Sequence, residues 1–103
     1  MKKELDLRKC KPLIEKTVSE LNQIDGNWTW RVSYVGQSEI HLEWKYLKYH
    51  GDAYPYFTIK WMWEMKIFAV YDGEGNSITD RLRVVDDLRL VMISILLYIE
   101  EEY

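Results

Sequence analysis

Few side chains in this chain could do acid–base, nucleophilic or metal chemistry. His41 and His50 are the two histidines, and Cys10 is the single cysteine. A Cys–His dyad would bring Cys10 against one of them, but no local motif supports that pairing. His50 and Asp52, two residues apart in sequence, could share a hydrogen bond, yet no nucleophile stands beside them. Zinc would need four ligands drawn from these residues and scattered carboxylates, without the tight spacing of a zinc site. Gly73-Glu74-Gly75 lies between a strand and a helix, as a phosphate loop would, but Glu74 and the flanking acids oppose an anion. The expectation is a chain with no catalytic site, no metal and no cofactor.

Binding chemistry is better represented. Tyr46, Tyr49, His50, Tyr54 and Tyr56 surround Gly51 and Asp52. Loop tyrosines offer rigid, amphipathic contact area and are enriched at protein interfaces. Tyr49, His50, Asp52, Tyr54 and Tyr56 are therefore the expected partner-binding residues; otherwise Tyr46 and Tyr56 close the core and the others cover loop backbone. An alternative site uses Lys45, Lys48, Lys60 and Lys66 with exposed aromatics to hold single-stranded nucleic acid.

These residues must be positioned by an aromatic sheet. All five tryptophans, both phenylalanines and six of the eight tyrosines lie between Trp28 and Tyr71. Trp28, Trp30, Val32 and Tyr34 alternate with Thr29, Arg31 and Ser33, and Ile40, Leu42, Trp44 and Tyr46 alternate with Glu39, His41, Glu43 and Lys45. Opposed residues share a face, so an odd loop is required between these strands. A three-residue loop pairs Trp30 with Trp44 and Val32 with Leu42. The next run keeps Phe57, Ile59, Trp61, Trp63, Met65, Ile67, Ala69 and Tyr71 on one parity. With no Gly or Pro near Glu64, it reads as one long strand, apolar on both faces at Phe68 and Val70. Ten connecting residues would set Glu43 opposite Lys60. The polar face, with Arg31, Glu39, His41, Glu43, Lys45, Lys60, Glu64 and Lys66, reads mainly as a solvated surface of mixed charge.

A helix precedes the sheet, with Pro12 in its first turn and Leu13, Ile14, Thr17, Val18 and Leu21 as its stripe. Another follows it, capped by Ser77 or Thr79, with Leu82, Val85, Leu88, Met92, Ile95, Leu96 and Ile99 inward. Its second half is apolar nearly all round, which suggests a homodimer through the C-terminal helix. The predicted fold is α+β: an antiparallel meander of three to four strands, its aromatic face packed by both helices (α-β-β-β-α), in one domain over residues 1–103. Strict alternation makes those aromatics core residues rather than a platform for bases.

At 103 residues and net charge −3, the chain lacks the basic excess that duplex DNA binding requires. The lone cysteine, the absence of a leader and the short apolar runs point to a cytoplasmic protein away from membranes. The sequence thus favours a small non-catalytic interaction module with a protein partner. By analogy of type, it would be an inhibitor, an immunity-type protein or a phage-encoded anti-defence protein.

Overall fold

The computed structural model describes residues 6–24, 26–46 and 56–102. Helix α1, Lys11–Ile24, forms because Ile14, Thr17 and Leu21 recur at helical steps and bury one stripe. The buried Thr17 hydroxyl is satisfied by donating to the Leu13 carbonyl at 2.8 Å. Leu13, expected in the stripe, is 41% exposed. Leu7 joins the core instead, fully buried in a 3-10 turn over Leu7–Cys10 that Asp6 caps by accepting the Arg8 N–H.

Strands β1, Trp28–Val35, and β2, Glu39–Tyr46, form the first hairpin. Trp30 stands opposite Trp44 and Val32 opposite Leu42, as the parity argument requires. The route to that register differs from the expected three-residue loop. Val35 pairs with Ile40 and Tyr34 with His41, and the register shifts between Val32 and Tyr34. A bulge, not an odd loop, supplies the extra residue. It also turns Tyr34 out of the aromatic face, leaving it 52% exposed.

The run from 56 to 71 is two strands, which corrects the single long strand: β3, Tyr56–Met62, and β4, Ile67–Tyr71. The Met62 carbonyl accepts N–H bonds from both Met65 and Lys66, closing a tight turn. Lys66 takes the left-handed conformation there, with φ 56°. Because the turn holds an even number of residues, parity flips: Phe68 and Val70 face the core, while Trp63 and Met65 are exposed at the tip. A lysine in this backbone region carries strain that glycine lacks, so Lys66→Gly is expected to raise stability by up to about 1 kcal/mol. Urea unfolding would check this; a loss of stability would show that the turn is held by the lysine side chain.

The sheet order is β1-β2-β3-β4, antiparallel throughout. Helix α2 spans Leu88–Glu102, with Asp87 accepting the Leu90 N–H at 3.0 Å as its cap. It starts later than the Ser77 or Thr79 expected. The intervening segment instead closes the β4 edge: Phe68 donates to the Val85 carbonyl, Ile78 to the Val70 carbonyl, and Val70 to the Thr79 hydroxyl. Leu82 and Val85 continue the spacing of the α2 stripe, but satisfying that strand edge outweighs local periodicity.

Both helices cover the aromatic face. Trp28, Trp30, Trp44 and Phe57 pack in one core with Ile14, Leu21, Met92, Ile95 and Ile99. Arg89 on α2 donates to Glu20 on α1 at 2.6 Å, and that bond holds the Glu20 carboxyl below its ordinary value. At the β1 edge, Asn22 accepts from the Trp30 N–H at 2.7 Å and donates to its carbonyl at 3.1 Å, standing in for a neighbouring strand. Asn22→Ala is therefore expected to cost about 1–3 kcal/mol, since it orphans both groups. Denaturant unfolding would measure it; a loss below about 0.5 kcal/mol would mean that water replaces the amide.

Candidate docking surface

The sheet face opposite the helices carries the most distinctive surface chemistry. On β2, Glu39, His41 and Glu43 point to this side, opposite Lys60, Thr58 and Tyr56 of β3. The bulge in β1 adds Tyr34, opposite His41. The three rings form a tilted stack: Tyr34 lies 5.1 Å from His41 with the ring planes inclined by 46°, and His41 lies 5.6 Å from Tyr56 with an inclination of 30°. His41 Nε2 is 2.6 Å from a Glu39 carboxylate oxygen, which fixes the orientation of the imidazole.

Charges around the stack are matched in pairs. Arg31 makes a bidentate contact with Glu43, at 3.0 Å for the shorter bond. Lys60 lies 3.8 Å from Glu39 and 5.4 Å from the centre of the Tyr71 ring. The Glu43–Lys60 pair expected from sequence does not form, because the β2–β3 register sets Glu39 opposite Lys60. Partly exposed pairs like these are worth under about 1 kcal/mol each to stability. Their larger effect is to hold a surface of alternating sign around three aromatic rings.

Of the sequence-predicted contact residues, Tyr56 belongs to this surface and is 40% exposed. Tyr49, His50, Asp52 and Tyr54 lie outside the described residues, as does Lys48. The other three lysines are dispersed. Lys60 is paired on the open face, Lys66 sits in the β3–β4 turn, and Lys45 is six residues along β2 from Glu39, about 20 Å from the Lys60 end. The tryptophans and phenylalanines that could have stacked on bases are mostly core: Trp28, Trp30, Trp44, Phe57 and Phe68 are all buried.

Sequence reasoning missed Tyr34 as a surface residue. The period-two pattern places it with the core, and nothing in that pattern marks the bulge that reverses it. Trp63 and Met65 were missed for the analogous reason, parity being extended through a turn. On α2, Leu90 and Leu97 are 38% and 37% exposed, and the part-buried Ile93 lies between them. A dimer through the C-terminal helix would use that stripe.

Catalytic constellations gain little from the fold. Cys10 packs against the core side of the sheet, whereas His41 lies on the opposite face. In the Asp72–Asn76 turn, the Asp72 carboxylate accepts the N–H groups of Glu74 and Asn76 at 2.9 Å each, occupying donors that a phosphate would use. Among the described residues no group of three His, Cys, Asp or Glu side chains could hold a metal ion, and no helix is long and apolar enough to cross a membrane. Comparison with family models, curated proteins and solved structures finds no match to the chain.

Proposed function

We propose that the chain is a non-catalytic protein-binding module whose docking surface is the open sheet face. It acts by covering a site on a larger protein, as inhibitors, immunity-type proteins and phage-encoded anti-defence proteins do. The observation that supports this reading is the exposed Tyr34–His41–Tyr56 stack. Aromatic anchors held rigid by a sheet lose little conformational entropy on binding, and tyrosine is enriched among residues that dominate interface energetics. The matched ion pairs around the stack favour a partner surface of mixed charge, with electrostatics setting orientation and association rate. Nucleic acid is the rival partner, held by Lys45, Lys60 and Lys66. It is disfavoured because those lysines are dispersed and Lys60 is already neutralised by Glu39.

The test is capture from extract by the tagged chain, with and without nuclease, followed by identification of protein and nucleic acid. One stoichiometric protein partner that survives nuclease is expected. Recovery of nucleic acid, or loss of every partner after nuclease, would replace this reading with the rival.

A further inference from the structure

Glycine in a hairpin turn is ordinarily a backbone requirement, because glycine takes a positive φ without strain. Gly36, between β1 and β2, does not fit that reason. Gly75 is the one glycine among the described residues with a positive φ, so alanine could adopt the Gly36 backbone. What is missing at Gly36 is room for a side chain. A methyl group there would stand 2.6 Å from the Tyr34 hydroxyl oxygen, and 2.9 and 3.0 Å from Cε2 and Cζ of the ring. Carbon atoms in favourable contact sit about 3.5–4.0 Å apart. The Tyr34 ring therefore lies over Gly36, in the space that any other residue would fill.

If that space were taken, either the turn or the ring would have to move. The turn is tied on three sides: Gly36 donates to the Glu39 carbonyl, Leu7 to the Gln37 carbonyl and Trp61 to the Ser38 carbonyl, each at 2.8 Å. Shifting it would break bonds to β2, to the 3-10 turn before α1 and to β3. Tyr34 is held less firmly, being more than half exposed and outside the core cluster. Its side chain can swing to another staggered position about the Cα–Cβ bond. A side chain at position 36 thus displaces the ring, not the turn, and takes it away from His41.

We propose that Gly36 is a positioning residue for the Tyr34–His41–Tyr56 stack: by leaving its side-chain space empty, it seats the Tyr34 ring against His41. Two features then fix this ring. The bulge turns Tyr34 onto the open sheet face, and Gly36 receives the ring where the strand enters the turn. An anchor set in place before binding loses less conformational entropy when the partner arrives. The relevance to binding rests on reading the open sheet face as the docking surface, whereas the seat is a property of the free chain and is measured there.

The test compares Gly36→Ala, Tyr34→Ala, the double variant and Gly26→Ala, each as the full chain, by NMR of the histidine rings and by thermal unfolding. A methyl group at Gly26 meets no atom within 4 Å, so that variant controls for the loss of a glycine. In Gly36→Ala the His41 ring protons are expected to move to the positions they take in Tyr34→Ala, and the cross-relaxation between the Tyr34 and His41 rings to disappear. Gly26→Ala should keep the parent spectrum. Adding Gly36→Ala to Tyr34→Ala should change neither the His41 resonances nor the melting temperature. A glycine with a merely structural role would lower the melting temperature equally in both backgrounds and leave the ring contact intact, which would overturn the proposal. An unchanged His41 spectrum in Gly36→Ala would overturn it as well. Should Gly36→Ala fail to fold while the double variant folds as Tyr34→Ala does, the conflict between methyl and ring is shown directly; failure of both to fold would count against the seat. Against the captured partner, Gly36→Ala is expected to lose about tenfold in affinity, as Tyr34→Ala does, with no further loss when the two are combined. Parent-like affinity in all three, alongside the expected His41 shifts, would confirm the seat and remove the open face from the interface, so the two failures are distinguishable.

Discussion

Replacing Trp44 with alanine is expected to destabilise the fold by about 3–5 kcal/mol, enough to unfold much of a marginal domain. Trp44 is buried on β2, opposite Trp30, with its ring 5.3 Å from Trp28 and 6.2 Å from Phe57. Its removal leaves a cavity between the Trp28 and Phe57 rings, both held in place by the strand ladder. Trp63→Ala is the matched control: the same residue type, 41% exposed in the β3–β4 turn, should cost less than about 1 kcal/mol. Chemical denaturation followed by circular dichroism measures both. Equal losses for the two would mean that the aromatic face is not the centre of the core.

The reasons that the sequence leads to Trp44 but not to Tyr34 are physical. Alternation of apolar and polar residues is a direct consequence of a half-buried sheet, so strand faces are legible wherever the ladder is regular. This covers Trp28 to Val32, Ile40 to Trp44 and Phe57 to Trp61. Parity fails at irregularities, because one inserted residue or one even turn inverts every residue beyond it. The bulge before Tyr34 and the turn over 63–66 carry no Gly or Pro to announce them, as Lys66 takes the left-handed conformation without help from glycine. Periodicity misled at Leu82 and Val85 too, where a spacing compatible with a helix serves an extended segment that completes β4. Of the candidate site, Tyr56, the polar residues of β2, and Arg31 and Lys60 beside them were legible, whereas Tyr34 was not. The ring stack exists because the bulge and the β2–β3 register bring three strands into line, and neither is written in local pattern.

The second large effect concerns binding. Tyr34→Ala combined with Tyr56→Ala is expected to weaken partner binding by about a hundredfold or more, or about 2.7 kcal/mol, while leaving the fold intact. Both side chains stand on the outside of the sheet and neither contributes to the core cluster. Removing them leaves His41 held by Glu39 but unstacked, and takes away the two tyrosine rings that flank it. Stability should change little, because exposed positions rarely contribute more than about 0.5 kcal/mol.

The most direct measurement is titration calorimetry of the captured partner against three forms of the chain: the parent, Tyr34→Ala/Tyr56→Ala, and Leu90→Glu/Leu97→Glu. Docking through the open sheet face predicts that the tyrosine pair loses about a hundredfold in affinity while the α2 pair binds as the parent does. Unchanged affinity for the tyrosine pair, with binding lost in the α2 pair, would contradict the account and place the interface on the helical side.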